Sequence, residues 1–248
     1  MTINILLPMS GRGLRMQEEF NDPKPLILIE GKPMVIRVLE SLQSIITTDA
    51  NIILIAQQAH VDKYPHIFNE LKTRFNANIV TVNHVTDGAA CSVLAARKLI
   101  QNDNPLFISN ADQILDMDYT TLMDDFYARK LAGSIVTFTH DSPSLSYVKL
   151  DNNEYVIDIA EKKVISNYAT AGIYLFQSGK QFINATVDMI ANADKANNEY
   201  YVAPAYKYII NDNSNKVGII NIEASKVHDL GKPDLLKQYI RLLHEHKL

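Results

Sequence analysis

The chain has 248 residues, 47% of them apolar and 21% charged, with 24 basic against 28 acidic side chains and a net charge of −4. Such a balance suits a globular chain with a substantial core, and it offers no basic surface for nucleic acid. One cysteine, Cys91, excludes an internal disulfide framework, and the first apolar run is too short to span a membrane and lacks a signal peptide's basic flank; a cytoplasmic setting is expected.

In chain order, apolar runs suited to buried strands occur at Ile3–Leu7, Ile52–Ala56, Ile79–Val82, Leu106–Ser109 and Ile135–Phe138. Between them, Pro33 can open a helix whose Val35, Leu39 and Leu42 share a face, and Ala89–Ile100 reads as a second helix with Val93, Ala96 and Ile100 aligned. Beyond residue 140 shorter strands are expected at Tyr147–Leu150, Tyr155–Ala160 and Ala169–Phe176. Helices are expected near Ser178–Ala193 and Val202–Ile210, then a strand at Val217–Ile222 and a last helix from Pro233 to about His246. Alternating strands and helices predict an α/β fold: a Rossmann-like, mostly parallel sheet flanked by helices, with a smaller mixed β extension over the cleft. We expect one domain over 1–248, with a nucleotide-binding half (1–140) and an acceptor-binding half (141–248) that includes the last helix. That helix carries Leu235, Leu236, Tyr239, Leu242 and Leu243, which suit internal packing or a homo-oligomer equally.

The first strand runs into Pro8-Met9-Ser10-Gly11-Arg12-Gly13-Leu14-Arg15, and then into Pro23-Lys24-Pro25. Glycines let backbone N–H groups approach phosphate oxygens, while Arg15 and Lys24 supply fixed charge, so the segment suits a polyphosphate. It is not a dinucleotide fingerprint, because Met16 occupies the third glycine position, nor an ATPase phosphate loop, because Gly31-Lys32-Pro33 lacks the hydroxyl. Asn110-Ala111-Asp112-Gln113 follows a buried strand, where a carboxylate is well placed for a divalent cation, and Val227-His228-Asp229-Leu230-Gly231 places a second carboxylate before a glycine turn. Read alone, Asp112 is by default a turn or cap residue, and the second carboxylate is what sets it apart. The histidines at 60, 66, 84 and 140 lack metal-ligand spacing, His244 and His246 read as solvated tail, and Cys91 reads as a small core residue. Glu199, Tyr200 and Tyr201 suit either a cleft wall or packing.

The series G-x-G-x-R, PKP, GKPM, T-D-G-A-A, A-D-Q, EK, A-G-I-Y and D-x-G-x-P runs along nearly the whole chain. It resembles the sugar-phosphate nucleotidyltransferases, or NDP-sugar pyrophosphorylases, and its P-M-S-G-R-G loop resembles a subgroup found in capsule and surface-polysaccharide pathways. The resemblance implies a nucleotide-diphospho-sugar transferase fold and a Mg²⁺-dependent transfer between a nucleoside triphosphate and a sugar 1-phosphate. It implies Arg15 and Lys24 as catalytic cations, and Asp112 and Asp229 as ligands of Mg²⁺. Met9, Ser10, Gly11, Arg12, Gly13, Asn83, Gly88, Ala89 and Asn110 would bind nucleotide, and Glu161, Lys162, Gly172 and Tyr174 the sugar phosphate. Asn83 stands where glutamine often contacts the base, and Lys163 where proline usually follows the Glu-Lys pair. The rival readings are a cytidylyltransferase acting on a phosphocholine-like or phospho-amino-acid-like monoester, a metal-dependent glycosyltransferase, and a nucleotide-sugar-binding module without catalysis.

Overall fold

The computed structural model describes residues 2–246, with the side chain of His246 outside that description. Strand β1 (Asn4–Pro8) leads through a long loop and a 3₁₀ turn (Lys24–Leu26) to a hairpin of β2 (Leu28–Ile29) and β3 (Lys32–Pro33), then α1 (Met34–Ser41). There follow β4 (Asn51–Gln57), α2 (Gln58–Lys63), α3 (Pro65–Phe75), β5 (Asn78–Val82), α4 (Ala89–Ala95), α5 (Arg97–Ile100) and β6 (Leu106–Ser109). The next elements are β7 (Gln113–Leu115), α6 (Thr120–Ala128), β8 (Gly133–Thr139), β9 (Ser146–Leu150), β10 (Val156–Glu161) and β11 (Tyr168–Phe176). The chain closes with α7 (Gly179–Ala191), α8 (Ala205–Ile210), β12 (Val217–Ile222), β13 (Val227–Asp229) and α9 (Pro233–His246). No helix among the described residues is long and apolar enough to cross a membrane.

The expected parallel sheet is present: β5, β4, β1 and β6 run side by side in one direction. Antiparallel β11 extends it, pairing through Ile173–Phe176 with β6 and through Tyr168–Ala169 with β9. Its other edge takes β8, which carries β12 in parallel. One sheet therefore runs through both halves of the chain. Both its faces are covered, so its strands read as continuous apolar runs rather than alternating ones. Ile5 and Leu7 face a core with Met34, Leu39, Phe68 and Phe107, while Leu6 faces the opposite core with Val93, Ile108, Phe182 and Tyr206.

Four expectations shift in detail. Pro33 ends β3 and stands before α1 instead of inside its first turn, because Glu30 (φ 48°) and Gly31 (φ 76°) make a tight turn that keeps Lys32-Pro33 extended. The helix expected over Ala89–Ile100 breaks at buried Ala96, whose N–H reaches back to the Val93 carbonyl at 3.0 Å. The helix expected from Val202 begins only at Ala205, after Pro204. The last helix packs inward through Leu236 and Tyr239, and His244 is not free tail: its Nε2 lies 3.0 Å from Glu30. The helices α2, α3 and α6 were not anticipated, although Pro65 followed by Ile67, Phe68, Leu71 and Phe75 marks α3 once packing is known.

A polar chain crosses the amino-terminal ends of the parallel strands, opposite the ligand-facing edge. Asn78 donates to the Asn51 side chain at 3.0 Å, Asn51 to Asn4 at 2.9 Å, and Asn4 to Asn102 at 3.0 Å. Asn4 is fully buried, so deleting its amide leaves two partners unmatched away from water. We expect Asn4→Ala to cost about 2 kcal/mol, read by calorimetry as a fall in Tm of about 4–8 °C. Asn78→Ala, at the exposed end, should cost less than about 1 kcal/mol.

Candidate active site

The loops after β1 and β6 open at the carboxyl edge of the parallel sheet, where ligands bind in open α/β folds. Buried Met16 pins the first loop, its N–H bonding the Gly13 carbonyl at 2.9 Å. Gly13 is left-handed (φ 61°), and a Cβ there would stand 3.0 Å from the Cβ of Lys24. Ser10 is buried, and its hydroxyl lies 2.9 Å from Ser92, which lies 2.6 Å from Thr86. This hydroxyl chain ties the first loop to the Thr86–Gly88 loop before α4. Gly88 (φ 116°) lies against the backbone of Tyr200, leaving only 2.4 Å between a Cβ and the Tyr200 carbonyl oxygen. The Tyr200 N–H donates to Asp87 at 2.7 Å, its carbonyl accepts from Ala90 at 3.0 Å, and Lys195 Nζ sits 2.9 Å from the Asp87 carboxylate.

Asp112 and Asp229, far apart in sequence, meet because β13 pairs antiparallel with β7, setting Asp229 opposite Gln113. The Leu230 N–H donates to the Asp112 carbonyl at 2.8 Å, and the Gly231 N–H to the Asp229 carboxylate at 2.7 Å. A Cβ on Gly231 would stand 2.7 Å from Asp112 Oδ2 and 3.0 Å from Asp229 Oδ1, so the two carboxylates converge on one point. Lys24 Nζ lies 2.5 Å from Asp112 Oδ2. Burial, helped by the nearby Asp112 charge, raises the Asp229 pKa above the ordinary carboxylate value. Among the described residues there is no group of three or more His, Cys, Asp or Glu suited to a metal. Two carboxylates with room for phosphate and water fit the preference of Mg²⁺, and not the all-protein cage of Ca²⁺ or the nitrogen–sulfur set of Zn²⁺.

Also on the cleft, Glu161 closes β10 and accepts a hydrogen bond from the Ser146 hydroxyl. Burial raises its pKa despite that bond. Lys162 (φ 52°) donates to the Tyr201 hydroxyl at 2.5 Å, and its ammonium stands 4.7 Å from the centre of that ring. Gly172 (φ 73°) is closed off by the Gln113 and Asn110 amides, and its carbonyl accepts from the Asn110 N–H at 2.9 Å. Tyr174 is buried, with its hydroxyl 3.0 Å from that of Thr170.

These groups line one cleft of about 740 Å³. Of the residues singled out in the sequence, Ser10, Gly11, Arg12, Gly13, Arg15, Lys24, Gly88, Ala89, Asn110, Asp112, Glu161, Lys162, Gly172, Tyr174 and Asp229 all face it. Two do not. The Met9 side chain turns into the core, as strand alternation from Leu7 requires, and Asn83 lies exposed beyond β5, outside the cleft. Glu199 and Tyr201 take the cleft-wall option, while Tyr200 takes the packing one. Ser144, Ser146, Thr170, Asn197 and Asn198 line the cleft without having been singled out, since isolated small polar residues carry no distinctive spacing. Four basic and five acidic side chains face the space, so a polyphosphate there needs further positive charge.

The sequence pattern of the nucleotidyl transferase family matches residues 14–243. A mannose-1-phosphate guanyltransferase of Gibberella zeae is 28% identical over 181 residues, covering 70% of this chain and 49% of that protein. The bifunctional protein GlmU of Methanococcus aeolicus is 27% identical over 245 residues, covering 94% of this chain and 53% of that protein. The chain thus spans about half the length of the curated relatives it matches. In three dimensions it resembles a nucleoside-diphosphate-sugar pyrophosphorylase from Vibrio cholerae RC9, with a TM-score of 0.81 at 19% identity over 96% of this chain and 99% of that one. HddC from Yersinia pseudotuberculosis gives 0.68 at 17% identity, over 96% and 98% of the two chains. These structural likenesses establish the shared fold. Together with a sequence match reaching from the first loop into the last helix, they mean that the chain belongs to the nucleotidyl transferase family.

Proposed function

We propose that the protein transfers a nucleoside monophosphate from a nucleoside triphosphate to the phosphate of a sugar 1-phosphate, releasing pyrophosphate. One observation carries the reading: Lys24, Asp112 and Asp229 converge in a cleft that Arg15 and Lys162 also line. An acceptor phosphate oxygen attacks the α-phosphorus in line, a new P–O bond forms, and the α–β bridging bond breaks as pyrophosphate leaves. A phosphate dianion is already nucleophilic, so positioning and charge neutralisation suffice, and no general base is required.

In this reading Arg15 holds the outer phosphates and the departing pyrophosphate. Lys24 leaves its contact with Asp112 to span the two reacting phosphates, and Lys162 leaves Tyr201 to hold the acceptor phosphate as a compact point charge. Asp112 and Asp229 would hold Mg²⁺, which supplies the positive charge that the balanced cleft lacks. Glu161, Tyr174 and Ser146 offer hydrogen-bonding groups to acceptor hydroxyls. The Ser10–Ser92–Thr86 hydroxyl chain, not Asn83, borders the space proposed for the base. A cytoplasmic site of action follows from the need for nucleoside triphosphates, and the P-M-S-G-R-G loop supports a product used in surface-glycan assembly.

A second acceptor class is favoured by one feature: Glu161 and Glu199 both face the acceptor end, beside the Tyr201 ring. Two carboxylates and an aromatic face would also suit a phosphomonoester bearing a cationic head, such as phosphocholine.

The first test is pyrophosphate release with Mg²⁺ across the common nucleoside triphosphates, each offered sugar 1-phosphates and phosphocholine. Turnover with one sugar 1-phosphate is expected; turnover with phosphocholine alone moves the protein to the second class. Release requiring no acceptor phosphate, or sugar transfer from an NDP-sugar, would sink the reading. Lys24→Met should lower kcat about 10²–10³-fold while leaving the circular dichroism melt nearly unchanged. Because Glu161 has a raised pKa in the folded state, its native carboxyl favours the proton. The contribution of this carboxyl to stability is then fully present below about pH 4.5 and is lost as pH rises through the folded pKa. Glu161→Gln should therefore raise Tm at pH 7.5, by about 2–4 °C, with the gain shrinking toward pH 4 while acceptor KM rises.

A further inference from the structure

Asp229 reaches Asp112 on a ribbon of three residues per strand, too short to be stable by its own ladder. Successive strand side chains face opposite ways, so Asp229 faces the cleft and His228 faces away from it. His228 Nε2 lies 2.7 Å from the Asp116 carboxylate, one residue beyond β7, and the ring packs 5.2 Å from that of Tyr239 on α9. The His228 side chain is only 9% exposed. The backbone N–H of Asp116 also grips the incoming strand, donating to the Lys226 carbonyl at 2.9 Å. Asp116 thus holds β13 twice, by main chain before the ribbon and by side chain in its middle.

We propose that Asp116 and His228 are positioning residues whose hydrogen bond sets the separation of the Asp112 and Asp229 carboxylates, and through it the affinity of the cation site. The proposal rests on the cation reading given above. Asp116 is 48% exposed, so the pair adds little to global stability. Its geometric effect is larger, because a small cation that demands near-ideal coordination tolerates little displacement of either carboxylate. Partners behind metal ligands commonly change affinity about 10–100-fold when removed.

The test titrates Mn²⁺, read by electron paramagnetic resonance, into the full chain as wild type, Asp116→Ala, His228→Ala and His228→Gln. Both alanine variants should weaken Mn²⁺ binding about tenfold or more and speed hydrogen exchange at the Leu230 amide, which donates to Asp112. His228→Gln, with a side-chain N–H in reach of Asp116, should recover most of the affinity. Asn4→Ala, which weakens the sheet at its opposite edge, should leave Mn²⁺ binding unchanged. Unchanged affinity in folded alanine variants, or a loss in Asn4→Ala of similar size, would overturn the proposal. Wild-type binding that ignores Asp229→Asn would instead overturn the cation reading, and this inference with it.

Discussion

The site depends on one pairing: β13 against β7. It joins residues more than a hundred positions apart, and without it Asp112 would stand alone at the end of β6 with only Lys24 beside it. Space is tight beside the pairing, since Gly231 fits between two carboxylates where a side chain would not. A close approach of two anions is unfavourable on its own; burial is the main cause of the raised Asp229 pKa, and the Asp112 charge adds to it. The Gly231 N–H, Lys24 and Lys232 offset part of it. Such a pair of carboxylates in a cleft, and not in the core, suits the cation proposed above.

A second constraint links two walls of the cleft. Tyr200 is hydrogen-bonded to both sides of Gly88, and its neighbours Glu199 and Tyr201 form the acceptor wall. The loop proposed for the nucleotide and the wall proposed for the acceptor therefore share one backbone clamp, with Lys195 and Asp87 closing it outside. The reversed strand β11 completes the arrangement. Its slip against β8 between Thr170 and Tyr174 falls at left-handed Gly172, and brings Thr170 and Tyr174 to the cleft floor.

Much of this was legible in the sequence. Continuous apolar runs marked the sheet because burial on both faces removes the need for alternation. The glycine loop and the two lysine-bearing motifs declared their chemistry because backbone approach and fixed charge demand particular residue types. Met9 and Asn83 lie off the cleft for a single reason: spacing along a motif locates a segment, but strand alternation and loop path decide which side chains face the cleft. Helix α2 escaped because it buries no residue, and α6 because only Leu122 and Phe126 of it are buried. The three-residue strands β7 and β13 escaped because no periodicity fits in three residues.

The sequence by itself determined the α/β class, the order of the main strands and the supply of cations at the glycine loop and the lysine motifs, since these follow from local pattern and residue chemistry. Only the tertiary structure decided that Asp112 and Asp229 share one point, that Lys24 rests on Asp112, and that Tyr200 clamps the Gly88 loop. Each of these is a contact between distant segments. Its energy comes from hydrogen bonds, charge and exclusion of volume across space, none of which leaves a trace in the spacing of residues along the chain.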